Sequence, residues 1–217
     1  MVIYRLPLFN SYFMCENALA GRKMKKLLII ALGLLFAACG GGGIGGGSAK
    51  MDIKAGGKDT VLAIKSSGTD KSVKTFTDKE GKITTATSFY AITANYDMDT
   101  TNAASMKKPL SAPDQARVML QLIGEEGTDL KSEFKPGTYK ADPAGKFMKL
   151  DSLVVTTFAD GKEAATSFDT NFSGSKITGQ VIVKSVTADA ISGDIDVTEG
   201  DKSVKGTFTA KIAAPKK

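Results

Sequence analysis

The sequence predicts an all-β fold over residues 50–217, an antiparallel sandwich or an up-and-down barrel of about nine strands, behind an apolar helical segment and a Gly-rich linker. Three observations predict it. Apolar residues alternate with polar ones at period two in run after run. Turn signals built on Gly and Pro separate those runs. Threonine, which favours strands, is confined to the same region, with all 21 copies after residue 59.

The chain is made of two materials. Residues 1–39 hold 27 of the 91 hydrophobic residues and five of the 29 basic ones, with Glu16 as their one acid. From Gly40 onward 24 Lys and Arg face 22 Asp and Glu, so the net charge of +6 falls to +2. The basic balance of the whole chain is therefore not a nucleic-acid signature.

Residues 1–23 show no helical or strand period, and Met24 followed by Lys25 and Lys26 is the more natural start. Residues 1–23 are then either upstream of the true start or an extended n-region. Residues 24–38 read as a signal peptide. The run LLIIALGLLFAA at 27–38 is uncharged, and as a helix it would span about 18 Å. That is short of the ~30 Å hydrocarbon core and fits an h-region. The two lysines hold the amino end in the cytosol while the apolar run enters the translocon.

The run L-F-A-A-C, Leu35 to Cys39, resembles the lipobox of bacterial lipoproteins. The resemblance implies cleavage after Ala37 and Ala38, a diacylglycerol thioether on Cys39, and a membrane partner reached through N-terminal acyl chains. Phe36 departs from that pattern, where Leu, Val or Ile is commoner. An ordinary signal peptide with a chance cysteine is the alternative. Cys15 follows Tyr-Phe-Met and lacks the small residues of a modification site. Residues 39–49 form the lipidated cysteine and its tether, because GGGGIGGGS cannot bury enough surface to fold. About nine such residues reach roughly 15–18 Å. Gly40 lacks the Asp that retains many such lipoproteins in an inner membrane. The resemblance thus implies a cell-envelope location, in the outer membrane where the host has one.

The strand readings follow in chain order. Tyr90, Ile92, Ala94, Tyr96 and Met98 share one face of TSFYAITANYDMD. Residues 99–116 read as a long loop or a short helix. Residues 111–123 are open between a helix, started by Ser111 with Pro113 and Asp114, and a strand with Val118, Leu120 and Leu122 on one face. Leu153 and Val155 oppose Val154. Ile177, Val181 and Val183 share a face, as do Ile191, Ile195 and Val197. Turns fall at 80–81, 135–137, 142–145, 160–161, 173–174 and 199–200, and Asp160-Gly161 suits a primed hairpin turn.

A short repeat joins DKSVKTFT at 70–77 to DKSVKGTFT at 201–209. Each copy reads as the return strand of a hairpin. In the second copy Val204, Gly206 and Phe208 share a face, whereas Val73 and Phe76 in the first point oppositely, so the copies cannot pack alike without a bulge. Either a half-domain is duplicated or two hairpins share a composition. The closing run from Gly179 reads as a three-strand meander. Its Ile-x-Gly and Gly-Thr-Phe rhythm resembles the β-domains of uncharacterised bacterial envelope lipoproteins, which implies a fold and no activity.

The sequence has no histidine, which excludes Ser-His and Cys-His catalysis and His-ligated zinc. Asp189, Asp194, Asp196, Glu199 and Asp201 crowd one hairpin, and Asp97 and Asp99 another. Such oxygen ligands suit Ca²⁺. The frame DIDVTEGD fails as an EF-hand loop, since its glycine comes seventh and Lys205 stands where the closing Glu belongs. Asp194 and Asp196 remain the metal candidates, or simply a solvated strand face. No cofactor and no catalytic residue is expected, although paired carboxylates could serve glycoside hydrolysis. Phe89, Tyr90, Tyr96, Phe134, Tyr139 and Phe147 could line a sugar or lipid site or form core. Scattered lysines with one arginine after Gly40, Arg117, argue against phosphate or nucleic acid as partner. The expected protein is a lipid-anchored envelope module for binding or structure. A barrel carrying a small apolar ligand or lipid is the alternative, and an acid-based hydrolase the second.

Overall fold

The computed structural model describes residues 49–212. The segment 1–23, the signal peptide 24–38 with Ala37 and Ala38, the lipidation residue Cys39 and the tether up to residue 48 lie outside the described residues. Among the described residues there are eleven strands and one four-residue helix. No helix among them is long and apolar enough to cross a membrane.

The first strands are β1 (Lys50–Ala55) and β2 (Lys58–Ala63), a hairpin closed by Gly56 and Gly57. Both glycines have positive φ, as a primed two-residue turn requires. In β1, Met51 and Ile53 are buried while Lys50, Asp52 and Lys54 are exposed, so strict alternation gives one wet face. Next come β3 (Ser66–Thr77) and β4 (Ile83–Ala94), then α1 (Ala103–Met106) and β5 (Ala116–Ile123). The ambiguous segment 111–123 is thus a strand from Ala116, with Val118, Leu120 and Leu122 fully buried. Helix α1 is short, as the reading of 99–116 allowed, and Asn102 caps it by accepting from the Ser105 N–H.

The remaining strands are β6 (Gly137–Lys140), β7 (Lys149–Ala159), β8 (Lys162–Phe168), β9 (Ile177–Val186), β10 (Ala190–Glu199) and β11 (Lys202–Lys211). Asp160 and Gly161 both take positive φ in the β7–β8 hairpin. The run β9–β10–β11 is the expected antiparallel meander.

All eleven strands belong to one curled open sheet, a half-barrel, in the order β2-β1-β11-β10-β9-β6-β7-β5-β4-β3, with β8 paired to β7 alone. It is neither a two-sheet sandwich nor a closed barrel. At β11 one edge is taken by β10 along its length, and the other by β1 over Ser203–Gly206 alone. Strand β3 approaches the remaining stretch of β11, but no ladder joins the two. A single side-chain bond, from the Lys211 N–H to Ser67 Oγ at 3.2 Å, stands where a ladder would close the sheet.

Three further expectations are corrected. Eleven strands replace nine. The first repeat copy lies in β3, the outgoing strand of the β3–β4 hairpin, and not in a return strand. The second lies in β11, which is a return strand. Val204 and Phe208 are buried there, while Val73 is exposed at the sheet's far edge, so the copies are not structural equivalents. Tyr96 and Met98 also fall outside β4, which ends at Ala94. The Asn95 side chain turns the chain away by accepting from the Ala116 N–H at 2.8 Å and donating to the Asp114 carbonyl at 2.7 Å.

The core fills the concave side of the sheet. Phe89, Phe134 and Tyr139 stack through it at centroid distances of 4.6 and 5.1 Å, among Leu120, Leu122, Leu153, Val181 and Phe208. The Tyr139 hydroxyl donates to the Lys135 carbonyl at 2.8 Å, and burial pushes its pKa up. A second apolar layer lies on the convex side. Ile92 and Ala94 are buried there, along with Met106 and Leu110 from the covering segment. Gly68, paired with Ile92, leaves room for the Met106 sulfur, which lies 2.3 Å from where a Cβ would stand.

Candidate functional site

The densest buried polar cluster lies at the start of β7. In the β5–β7 ladder Gln121 pairs with Ser152 and Leu122 with Leu150, so Asp151 is the extra residue of a β-bulge. A bulge re-aims side chains. Here Lys149 and Asp151 are both buried, with side chains 4% and 7% exposed. The Lys74 ammonium from β3 binds both Asp151 carboxylate oxygens, at 2.7 and 2.6 Å. The Lys149 ammonium lies 4.0 Å from the same carboxylate. It donates instead to Asn171 Oδ1 at 2.9 Å and the Thr170 carbonyl at 3.3 Å.

Asn171 is fixed from its other side. Its Nδ2 donates to the Asp151 carbonyl at 2.7 Å and approaches Thr170 Oγ1 at 3.3 Å, while the Thr170 hydroxyl donates to that same carbonyl. Burial is the main influence on Lys149 and lowers its pKa; Asp151 opposes this, Lys74 adds to it, and Asp142 opposes it again. One carboxylate is thus shared between two lysines, the less exposed of which faces an amide.

A second cluster ties the same connection to the β10–β11 turn. Glu199 Oε2 accepts from the Asp169 N–H at 3.1 Å and pairs with Lys202 at 2.7 Å, and Ser175 Oγ donates to its Oε1 at 3.3 Å. Burial raises the Glu199 pKa, but the Lys202 ammonium and the Asp169 N–H outweigh it and hold the carboxyl below its ordinary value. The folded state then binds fewer protons than the unfolded chain, so this contribution is whole above the unfolded value near pH ~4.3. It is lost as pH falls through the lower folded value. We expect the urea midpoint to drop between pH 5 and pH 3, and Glu199→Gln to flatten that drop. An unchanged slope in the variant would show that Glu199 does not carry it.

A third arrangement uses Arg117. Its guanidinium donates to the carbonyls of Met106 at 3.1 Å and Lys108 at 2.7 Å, and lies 3.9 Å from Glu163. Glu163 in turn accepts from the Leu110 N–H at 2.6 Å. The covering segment is held down at both ends of this bridge.

The residues singled out from sequence are dispersed. Asp194 pairs with Lys184 at 2.6 Å and Asp196 with Lys205, its cross-strand neighbour, at 3.0 Å. They share the wet face, and no group of three His, Cys, Asp or Glu side chains among the described residues could hold a metal ion. Asp97 and Asp99 pair with Lys65 and Lys108. The aromatic residues divide. Phe89, Phe134 and Tyr139 are core, Phe147 packs edge-on against Phe76 at 5.1 Å, and Tyr90 sits outside under the Lys107 ammonium at 5.0 Å. The space beside Tyr139, bounded by Thr87, Gly124 and Phe134, amounts to about 10 Å³, near the least that holds one water.

Sequence reading passed over Lys149, Asp151, Thr170 and Asn171. The one available signal was charge inside an apolar run, Lys149 and Asp151 on either side of Leu150. No family model matches the chain, no curated protein matches it in sequence, and no solved structure matches its fold.

Proposed function

We propose that the chain is a lipid-anchored protein of the cell envelope whose β-domain works as a binding or structural module at its surface. The anchor is read from Leu35 to Cys39, and the outer membrane is the favoured site where the host has one. The observation that supports the surface reading is the packing of the concave side, where Phe89, Phe134 and Tyr139 stack and the space beside Tyr139 amounts to about 10 Å³. The carrier alternative needs a cavity of several hundred Å³ in that place. The hydrolase alternative has less support, because it needs two carboxyls facing each other and the buried carboxylates Asp151 and Glu199 sit in separate clusters, one with Lys74 and one with Lys202.

Lipid anchoring needs more than one chain, since a single acyl group binds only marginally. The test is Cys39→Ser in cells fed a labelled fatty acid, followed by fractionation. The expected outcome is loss of label and release of the protein from the membrane fraction. Full membrane retention of the variant defeats the proposal.

A further inference from the structure

The described residues contain no cysteine, because Cys15 and Cys39 are the only two in the chain. No disulfide can therefore staple this part of the chain, yet the β7 bulge brings together the groups of another covalent staple. We propose that the Lys149 side chain condenses with the Asn171 side chain to form an internal amide cross-link between β7 and the β8–β9 connection.

The geometry supplies each requirement. The nucleophile, Lys149 Nζ, is held 2.9 Å from Asn171 Oδ1, so the amide carbon lies next to it. Burial favours the uncharged amine, the form whose lone pair attacks. Oδ1 faces the lysine, and Nδ2, the leaving group, is turned to the Asp151 main chain. The Asp151 carboxylate lies 4.0 Å from Nζ, and in this step it takes the proton of the attacking nitrogen and returns it to the departing one. Lys74 keeps that carboxylate in place.

The step balances without any further reagent. The Nζ lone pair forms a bond to Asn171 Cγ, and the bond from Cγ to Nδ2 breaks. One proton moves from Nζ to Nδ2, which leaves as ammonia, and no atom is oxidised or reduced. The product is a secondary amide, and the chain loses ~17 Da. The cross-link closes a loop from residue 149 to residue 171 and so restricts the unfolded chain, as a disulfide would.

The full-length chain, purified and denatured, is digested with trypsin and its peptides are weighed. An acylated Lys149 is not cut. The expected species joins peptide 147–162, uncut at Lys149, to peptide 163–176, at their summed mass less ~17 Da. Both Asn171→Ala and Lys149→Arg are expected to abolish it, and Asp151→Asn to slow its appearance at least tenfold. Release of separate, unmodified peptides 150–162 and 163–176 overturns the proposal. So does a peptide 163–176 that is ~17 Da lighter but unbridged, which would mean that Asn171 had cyclised on its own backbone. The first measurement is made on the unaltered protein, so a variant that fails to fold does not blunt the test. It is also independent of lipidation at Cys39.

Discussion

Replacing Gly206 by alanine is expected to detach the β1–β2 hairpin from the sheet. Gly206 sits in mid-β11 opposite Met51, with φ of 144°. A Cβ there would lie 2.2 Å from the Lys50 carbonyl oxygen and 2.9 Å from the Met51 Cα. Both are backbone atoms, so no rotamer change relieves the clash, and β1 itself must move. Met51, Ile53 and Leu62 would lose their burial with it. Overpacking against a fixed backbone, added to a φ that L residues rarely adopt, is expected to cost about 3–5 kcal/mol. The check is chemical denaturation together with hydrogen exchange of the β1 amides. Gly145→Ala, whose new methyl would meet its nearest neighbour at 3.4 Å, is the control. A Gly206→Ala protein as stable as that control would refute the argument. The consequence reaches function, because β1 is the strand that follows the proposed tether.

Arg117→Met should free the covering segment while leaving the sheet intact. Methionine keeps much of the apolar stem, so the loss is the guanidinium. Two main-chain carbonyls then lack their donor, that of Met106 in a buried place and that of Lys108 in a part-buried one. Each unsatisfied group costs about 1–3 kcal/mol, so the local penalty is on the order of 3 kcal/mol. That raises the opened population of this segment on the order of a hundredfold. Lys107 stands within it and is followed by Lys108, so tryptic cleavage after Lys107 reports the opening directly, while Pro109 protects the bond after Lys108. Arg117→Lys is expected to fall between, since an ammonium cannot reproduce the planar fork. Cleavage at the unaltered rate in Arg117→Met would remove the clamp from the account. Here the lone arginine of the domain, read from sequence as a sign against phosphate binding, has a structural task.

The sequence was legible where a residue's neighbours in the chain decide its place. Val118, Leu120 and Leu122 in β5 and Val181 and Val183 in β9 reach the core as their spacing says. Asp160 and Gly161 turn the chain as their preference for positive φ says. The convex layer was half legible. Tyr90, Ile92 and Ala94 do share a face, but α1 and its flanks cover it, and Met106 at Gly68 is a meeting that period two cannot foresee.

By itself, the chain's alternation and turn chemistry determined that this region is built of strands, which strands neighbour one another across short turns, and which side chains face inward. These are local consequences of a two-residue period. Only the tertiary structure decided that the sheet stays open, because whether β3 forms a ladder with the end of β11 depends on where two strands far apart in the chain run. It alone decided that Lys149, Asp151 and Asn171 meet. A bulge shifts the facing of residues by one, and a contact across some twenty residues depends on where both strands run, which no local period encodes.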